Sequence, residues 1–412
     1  MLEDLVEAVR RALDGGPAVT PLPRLNPDVP LPDGTALVVR TSGSTGAPRE
    51  VALTADALRA SATATHERLG GPGRWVLTLP ATHVAGVQVI VRSVLAGTAP
   101  AVADLGAPFT ADGLADLLEP VLAEADGPVY TSLVPTQLHR LVAAADDGAP
   151  RGLQALARCA AVLVGGAAAP APLLERSHDA HVRVVRTYGM SETAGGCVYD
   201  GVPLPGVRVR IEPGSDVVEL AGPMLAAGYV GDAAATAAAF RTDADGPDAG
   251  TRWFRTSDLG AWSPDGRLRV LGRADDVVVT GGVNVAPAAV EAELASVLPR
   301  VLGPSATGEA CVVGVPDEEW GQAVVAVAVV KPELSGPGRD IPRREPDNST
   351  GLAAVGPEEL AAVRAAVTAT LGAPSAPRRV YRATALPLRG PGKVDRAAVA
   401  RAVRTHEAPT SP

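Results

Sequence analysis

The sequence predicts an α/β protein with a large N-terminal domain, residues 1–272, built on a mostly parallel sheet with helices plus a small β-rich subdomain. A smaller α+β domain, residues 273–412, follows it. Three observations predict this. The 412 residues exceed one ordinary domain and suit two, each long enough to bury a core. From Thr35 to about Arg186, short apolar runs alternate with longer amphipathic ones: TALVVR with ADALRASATATHERL, WVLTLP with VAGVQVIVRSVLAG, PVYTSLV with PTQLHRLVAAA, AAVLVGG with APLLERSHDA. Strand followed by helix, repeated, argues a parallel sheet covered by helices. Beyond Tyr199 the pattern changes to short strands with turn signals, VRVRIEP, DVVELAG and the pair around Ser263 to Gly266, which predicts the β-rich subdomain.

Taken in order, the chain starts with Leu2, Leu5, Val6, Val9 and Leu13 at helical spacing among charges, an amphipathic helix. Pro17 to Pro32 is proline-rich and is expected to run extended over the surface, because proline cannot donate to a sheet. The strand–helix alternation and the β-rich stretch come next. After Arg273 the sequence predicts a helix from about Ala288 to Leu298, strands CVVGV and AVVAVAVV, a helix near Pro357 to Leu371, and a last helix after Lys393. Pro332 to Gly356, rich in Pro, Gly, Ser and charge, reads as a flexible surface loop.

Composition excludes several classes. The balance of 37 basic against 46 acidic residues, net -9, comes with no basic block, so no nucleic acid is expected as a partner. The N-terminus lacks the continuous apolar stretch of a signal peptide. The longest apolar run, Ala323 to Val330, is far short of the roughly 20 residues a membrane span needs. Cys159, Cys197 and Cys311 are too scattered for a disulfide scaffold or zinc site, so a soluble, reducing, cytoplasmic setting is expected. Only Lys331 and Lys393 are lysine; any site that uses lysine goes against the habit of the chain.

Four segments carry chemistry. Thr41-Ser42-Gly43-Ser44-Thr45-Gly46 follows the strand TALVVR and ends toward Arg49. Its hydroxyls and backbone amides can surround phosphate oxygens with a cation at the exit, although its spacing is not that of a Walker A loop. Alone, such a segment is more often a surface turn. Thr187-Tyr188-Gly189-Met190-Ser191-Glu192-Thr193 follows the strand VRVVR and sets a carboxylate among hydroxyls; Glu192 can give Mg²⁺ one ligand while phosphates and water complete the octahedron. Alone, such a Glu is usually solvated. Thr256-Ser257-Asp258 is followed fifteen residues after Asp258 by Arg273, and an Asp accepting two hydrogen bonds suits a vicinal diol; alone it reads as a hairpin corner. Lys393 sits between Gly390-Pro391-Gly392 and Val394-Asp395, a turn that can project a compact, mobile cation.

In their order and spacing these segments resemble the adenylate-forming superfamily of acyl-CoA synthetases, nonribosomal adenylation domains and luciferases, from Thr35 to Arg396. The resemblance implies that Thr41 to Gly46 hold ATP phosphates, that Gly165-Gly166 pack against adenine, and that Tyr188 meets adenine, with Gly189 beside it in the cofactor-binding segment. It further implies that Glu192 ligates magnesium, Thr193 meets phosphate, and Asp258 and Arg273 bind ribose. Asp275 falls where the interdomain hinge lies, so the C-terminal domain is expected to be mobile. Gly281-Gly282 resembles the loop lining the thiol tunnel, and Lys393 matches the lysine of the adenylation step. His83, in LPATHVAG, takes the place of the aromatic or histidine gate beside the acyl carboxylate; alone, it would be a cap or core residue. Arg49 stands where the superfamily usually has lysine, and Thr-Ser-Asp where Thr-Gly-Asp is commoner. Only 40 residues precede the loop, where many members carry a further subdomain.

That short N-terminus, with Ser132 to Leu138 and Gly189 to Gly201, is similar to the o-succinylbenzoate-CoA ligases of menaquinone biosynthesis. The co-substrates implied are a carboxylic acid, ATP and coenzyme A, with Mg²⁺. Ser132, Thr136 and Gln137 are candidates for polar contacts to a dicarboxylate. Another aryl- or acyl-CoA synthetase, an adenylase loading a carrier protein, and a non-catalytic nucleotide-binding protein of the same fold remain open at this point.

Overall fold

The computed structural model describes residues 2–41, 48–103, 108–331, 351–389 and 393–407. Internal contacts divide the chain into two units, residues 1–169 with 173–269, and residues 170–172 with 270–412.

The first unit is organised by a seven-stranded sheet in the order Ala101–Val102, Arg74–Leu77, Val129–Leu133, Ala161–Gly165, Val184–Met190, Gly195–Tyr199, Val202–Pro203. The first five strands run parallel and the last two antiparallel. Side chains alternate between two cores, as period-2 geometry requires. Trp75, Leu77, Tyr130 and Leu163 join the cluster that includes Val9, Leu58 and Ile90 of three helices, while Val76, Val129, Leu133 and Val162 join that of Leu118, Leu138 and Leu156. Helix starts are set locally. Thr54 caps Ala55–Leu69 by accepting the Ala57 N–H at 3.1 Å, and Pro135 opens Pro135–Asp146 at the position where its missing N–H costs nothing.

TALVVR does not lead straight into a helix as expected. It pairs antiparallel with a further strand, Glu50–Thr54, and both belong to a separate three-stranded sheet with Gly228–Tyr229. The proline-rich stretch makes one bridge, Val19 to Leu37, and is pinned where the buried Glu50 accepts the Leu25 N–H at 2.7 Å and Arg24 Nε at 3.2 Å. The β-rich stretch forms a five-stranded antiparallel sheet around Arg252–Trp262.

In the second unit AVVAVAVV is the central strand, Gly321–Val330, buried on both faces. Val324, Ala326 and Ala328 face helices Pro287–Leu302 and Pro357–Leu371, whereas Val325, Val327 and Val329 face Arg396–Glu407. The first of these helices extends past the expected Leu298 to Leu302, with Pro299 inside it. Ala353–Ala354, placed by sequence in a surface loop, pairs as an edge strand with Arg379–Ala383; residues 332–350 of that loop lie outside the described residues.

Candidate active site

Glycine sets the strand ends of the first unit. At Gly165 an added Cβ would meet Thr187 Oγ1 at 2.2 Å, and Gly166 is left-handed at φ 84, so the chain passes closely beside the next strand and turns away from it. Val184–Met190 continues through Tyr188 and Gly189, which the sequence reading set after the end of the strand VRVVR. At Gly189 an added Cβ would meet the Gly195 carbonyl oxygen at 2.1 Å.

The turn Ser191–Thr193 follows and closes on Ala194 at φ 49. Three side chains hold it. The fully buried Thr193 hydroxyl accepts the Met190 N–H at 2.9 Å and lies 2.7 Å from the Gly195 carbonyl. The Ala194 carbonyl receives Ser61 Oγ at 3.0 Å and the amide of the buried Gln88. Thr193 is thus engaged with the backbone of its own turn.

Glu192, 8% exposed, accepts a hydrogen bond from Tyr229 Oη at 2.9 Å. Burial, and then the Glu192 charge, push the Tyr229 phenol well above its ordinary pKa, so it stays a donor. The ring of Tyr229 carries the Arg49 guanidinium at 5.1 Å, and Arg49 Nε lies 3.9 Å from Asp232 Oδ2. Thr41 and Arg49 pair through two hydrogen bonds of 2.9 and 3.0 Å, which fixes both ends of the Ser/Thr/Gly loop; Ser42, Gly43, Ser44, Thr45 and Gly46 lie outside the described residues. Tyr229 was not singled out by sequence, because a lone Tyr in GYVGD carries no chemical signal until its strand pairs beside the loop.

Asp258, 9% exposed, lies within the strand Arg252–Trp262 rather than at a hairpin corner. The register against Val217–Ala221 shifts there, Val217 facing Leu259 but Glu219 facing Arg255, and such a bulge re-aims a side chain. Thr256 Oγ1 stabilises it by accepting the Asp258 N–H at 2.9 Å and donating to the Val218 carbonyl at 2.8 Å. Tyr188 Oη donates to Asp258 Oδ2 at 2.8 Å; burial first, then Asp258, push that phenol well above its usual pKa. Tyr188 and Asp258 are therefore brought together, as are Glu192 and the exit of the loop.

His83 occupies the N-cap position of Val84–Leu95 without a side-chain capping bond. Ser132 is 5% exposed and its Oγ has no hydrogen-bond partner among the described residues. Gln137 is committed locally, Oε1 accepting the Val134 N–H at 3.1 Å and Nε2 donating to the Thr78 carbonyl at 3.2 Å. Thr136 is half-buried in the first turn of the same helix.

Within the second unit, Arg273 grips Asp275 through Nε at 2.8 Å and a terminal nitrogen at 2.7 Å. Gly281 and Gly282 are exposed and left-handed; Gly281 packs on Trp320, which an added Cβ would meet at 2.6 Å. Lys393 is half-buried on a two-stranded hairpin with Leu388–Arg389. Among the described residues no group of three or more His, Cys, Asp or Glu could hold a metal. Glu192 alone fits an ion that arrives with nucleotide phosphates and water, not one caged by protein. Among the described residues no helix is long and apolar enough to cross a membrane.

The AMP-binding enzyme family matches residues 5–229 and the AMP-binding enzyme C-terminal domain matches residues 301–393. A Mycobacterium tuberculosis protein named probable 2-succinylbenzoate–CoA ligase is 41% identical over 96% of this chain and 94% of its own length. The 2-succinylbenzoate–CoA ligase of Bacillus velezensis is 31% identical over 74% of this chain and 60% of its own. The solved structure of o-succinylbenzoate CoA synthetase from Bacillus subtilis with its acyl-adenylate shares the fold, with TM-score 0.67 and 24% identity over 90% of this chain and 70% of that one. ATP-bound MatB from Rhodopseudomonas palustris gives TM-score 0.67 at 26% identity, over 90% and 68%. The chain belongs to the AMP-binding enzyme family.

Proposed function

We propose that the chain activates a carboxylic acid with ATP as an acyl-adenylate and passes the acyl group to coenzyme A, with o-succinylbenzoate as its acid. The observation that carries the acid is the 41% identity, over nearly the whole of both chains, to a relative named for that substrate. The geometry supports the chemistry. A carboxylate is a poor acyl donor because it would expel oxide, and adenylation replaces oxide with AMP. The acid attacks the α-phosphorus; Glu192 orients the ion that accompanies ATP, and the loop from Thr41 to Gly46, with Arg49 at its exit, receives the departing pyrophosphate. Mg²⁺ supplies Lewis-acid charge to the phosphate oxygens. Gly165, Gly166, Tyr188 and Gly189 form the adenine platform, and Asp258, set by its bulge, accepts from the ribose diol with Arg273 as the second ribose ligand. Thr193 shapes the Glu192 turn.

Residues 1–272 act as the adenylation domain and residues 273–412 as a mobile domain turning at Asp275. Lys393 serves adenylation, neutralising charge between the α-phosphate and the acyl oxygen, and Gly281-Gly282 line the path of the thiol. His83 gates the acyl carboxylate. For the second carboxylate of the acid, Ser132 is the better partner, its hydroxyl being buried and without a hydrogen bond among the described residues, while Gln137 is committed to its helix cap; an unpaired buried charge would be costly.

The test is acid-dependent ATP–pyrophosphate exchange with o-succinylbenzoate and a panel of aromatic, fatty and amino acids, followed by coenzyme A thioester formation. Strong exchange with o-succinylbenzoate and a thioester product are expected. Preference for a fatty or amino acid overturns the acid assignment; no exchange with any acid overturns the activity.

A further inference from the structure

The segment Ala226–Val230 is tied to both halves of the phosphate-binding region. On one side the Ala226 N–H donates to the Glu192 carbonyl at 2.8 Å. On the other, Tyr229 pairs with Val51 and the Val230 N–H donates to the Glu50 carbonyl at 2.9 Å, on the strand that leaves the Ser/Thr/Gly loop. Arg252 clamps the segment by donating to the Ala226 and Ala227 carbonyls at 2.8 and 2.9 Å. Tyr229 is 9% exposed and packs edge-on against Phe240 with ring centroids 6.0 Å apart, so its hydroxyl has little freedom where it meets Glu192.

We propose that Tyr229 is a positioning residue for the ATP-bound metal: its hydroxyl fixes the plane of the Glu192 carboxylate, and its ring seats Arg49 at the loop exit. One side chain thus sets both the carboxylate that meets the ion and the cation that closes the phosphate loop. The inference rests on the assignment of Glu192 to magnesium. Groups that hydrogen-bond a metal-ligating carboxylate govern its orientation, and their loss typically weakens metal affinity or activity by about 10- to 100-fold.

The experiment uses Mn²⁺ as the probe. Its affinity for the ATP-bound protein is read from the electron paramagnetic resonance of free Mn²⁺, beside melting curves, in the full chain and in Tyr229→Phe, Glu192→Gln and the double variant. Tyr229→Phe keeps the ring that touches Arg49 and Phe240; Tyr229→Met, of similar length and without a donor, replaces it should the Phe variant not fold. Tyr229→Phe is expected to weaken Mn²⁺ about tenfold, to raise the Mg²⁺ required for pyrophosphate exchange, and to leave thioester formation from supplied acyl-adenylate unchanged. On Glu192→Gln the same change should add nothing. Normal Mn²⁺ affinity in Glu192→Gln overturns the Glu192 assignment and this inference with it. Weak affinity in Glu192→Gln with normal affinity in the Tyr229 variant overturns the role of Tyr229 alone, as do fully additive losses in the double variant.

Discussion

The two units present their polar groups differently. In the first, Glu192 and Asp258 are 8% and 9% exposed, each receives a tyrosine hydroxyl, and each sits on irregular backbone pinned by a threonine. In the second, Asp275 and Arg273 form an ion pair with side chains 31% and 33% exposed, Gly281 and Gly282 are exposed, and Lys393 rides a short hairpin. Buried, doubly supported acids are built before the ligand arrives, which favours recognition. Exposed pairs are worth little to stability and exchange partners readily, which favours a role that changes during turnover.

Lys393→Ala tests that contrast most severely. Pyrophosphate exchange should fall by about 10²- to 10³-fold, while thioester formation from supplied acyl-adenylate persists; loss of both in a folded variant would remove the distinction between the units. Asp258→Ala should raise the KM for ATP roughly tenfold or more, and removing the acceptor of the half-buried Tyr188 hydroxyl should cost about 1 kcal/mol of stability, read as a lowered melting temperature. Asp275→Pro fixes φ at the proposed hinge, so thioester formation should slow several-fold while exchange is kept. Asp275→Ala, removing only the surface pair, should change stability by no more than about 1 kcal/mol.

The smallest effect concerns burial behind the site. His66 accepts the Trp75 Nε1–H at 3.3 Å, and burial, then the neighbouring Arg92, hold its pKa down at about 4. An unfolded chain takes up that proton below about 6.5. The stability contributed by neutral His66 is therefore complete above that pH and is lost as pH falls from about 6.5 toward 4. His66→Gln should flatten this part of the melting-temperature profile and leave exchange at neutral pH unchanged.

Periodicity made the parallel sheet and the central strand AVVAVAVV legible, because burial on one or both faces is written directly into the order of apolar residues. The strand EVALT was hidden: its buried Glu50 breaks the apolar pattern, and its value as an anchor appears only when Arg24 and Leu25 fold back on it. Asp258 was singled out by its motif, but the bulge that aims it was not readable, since a bulge depends on register with a partner strand distant in sequence. Tyr229 was missed for the same reason. Gln137 looked available for a ligand because a capping interaction is read only from hydrogen bonds.

The Ala194 carbonyl, which receives both Ser61 and Gln88, ties the tolerance of the acidic turn to two side chains on two different helices. Anyone reshaping substrate preference by random libraries would meet this as hidden epistasis: changes at Ser61 or Gln88 would register as failed catalysts although neither residue belongs to a motif. Holding those two codons constant while diversifying around Ser132 should enlarge the active fraction of such a library.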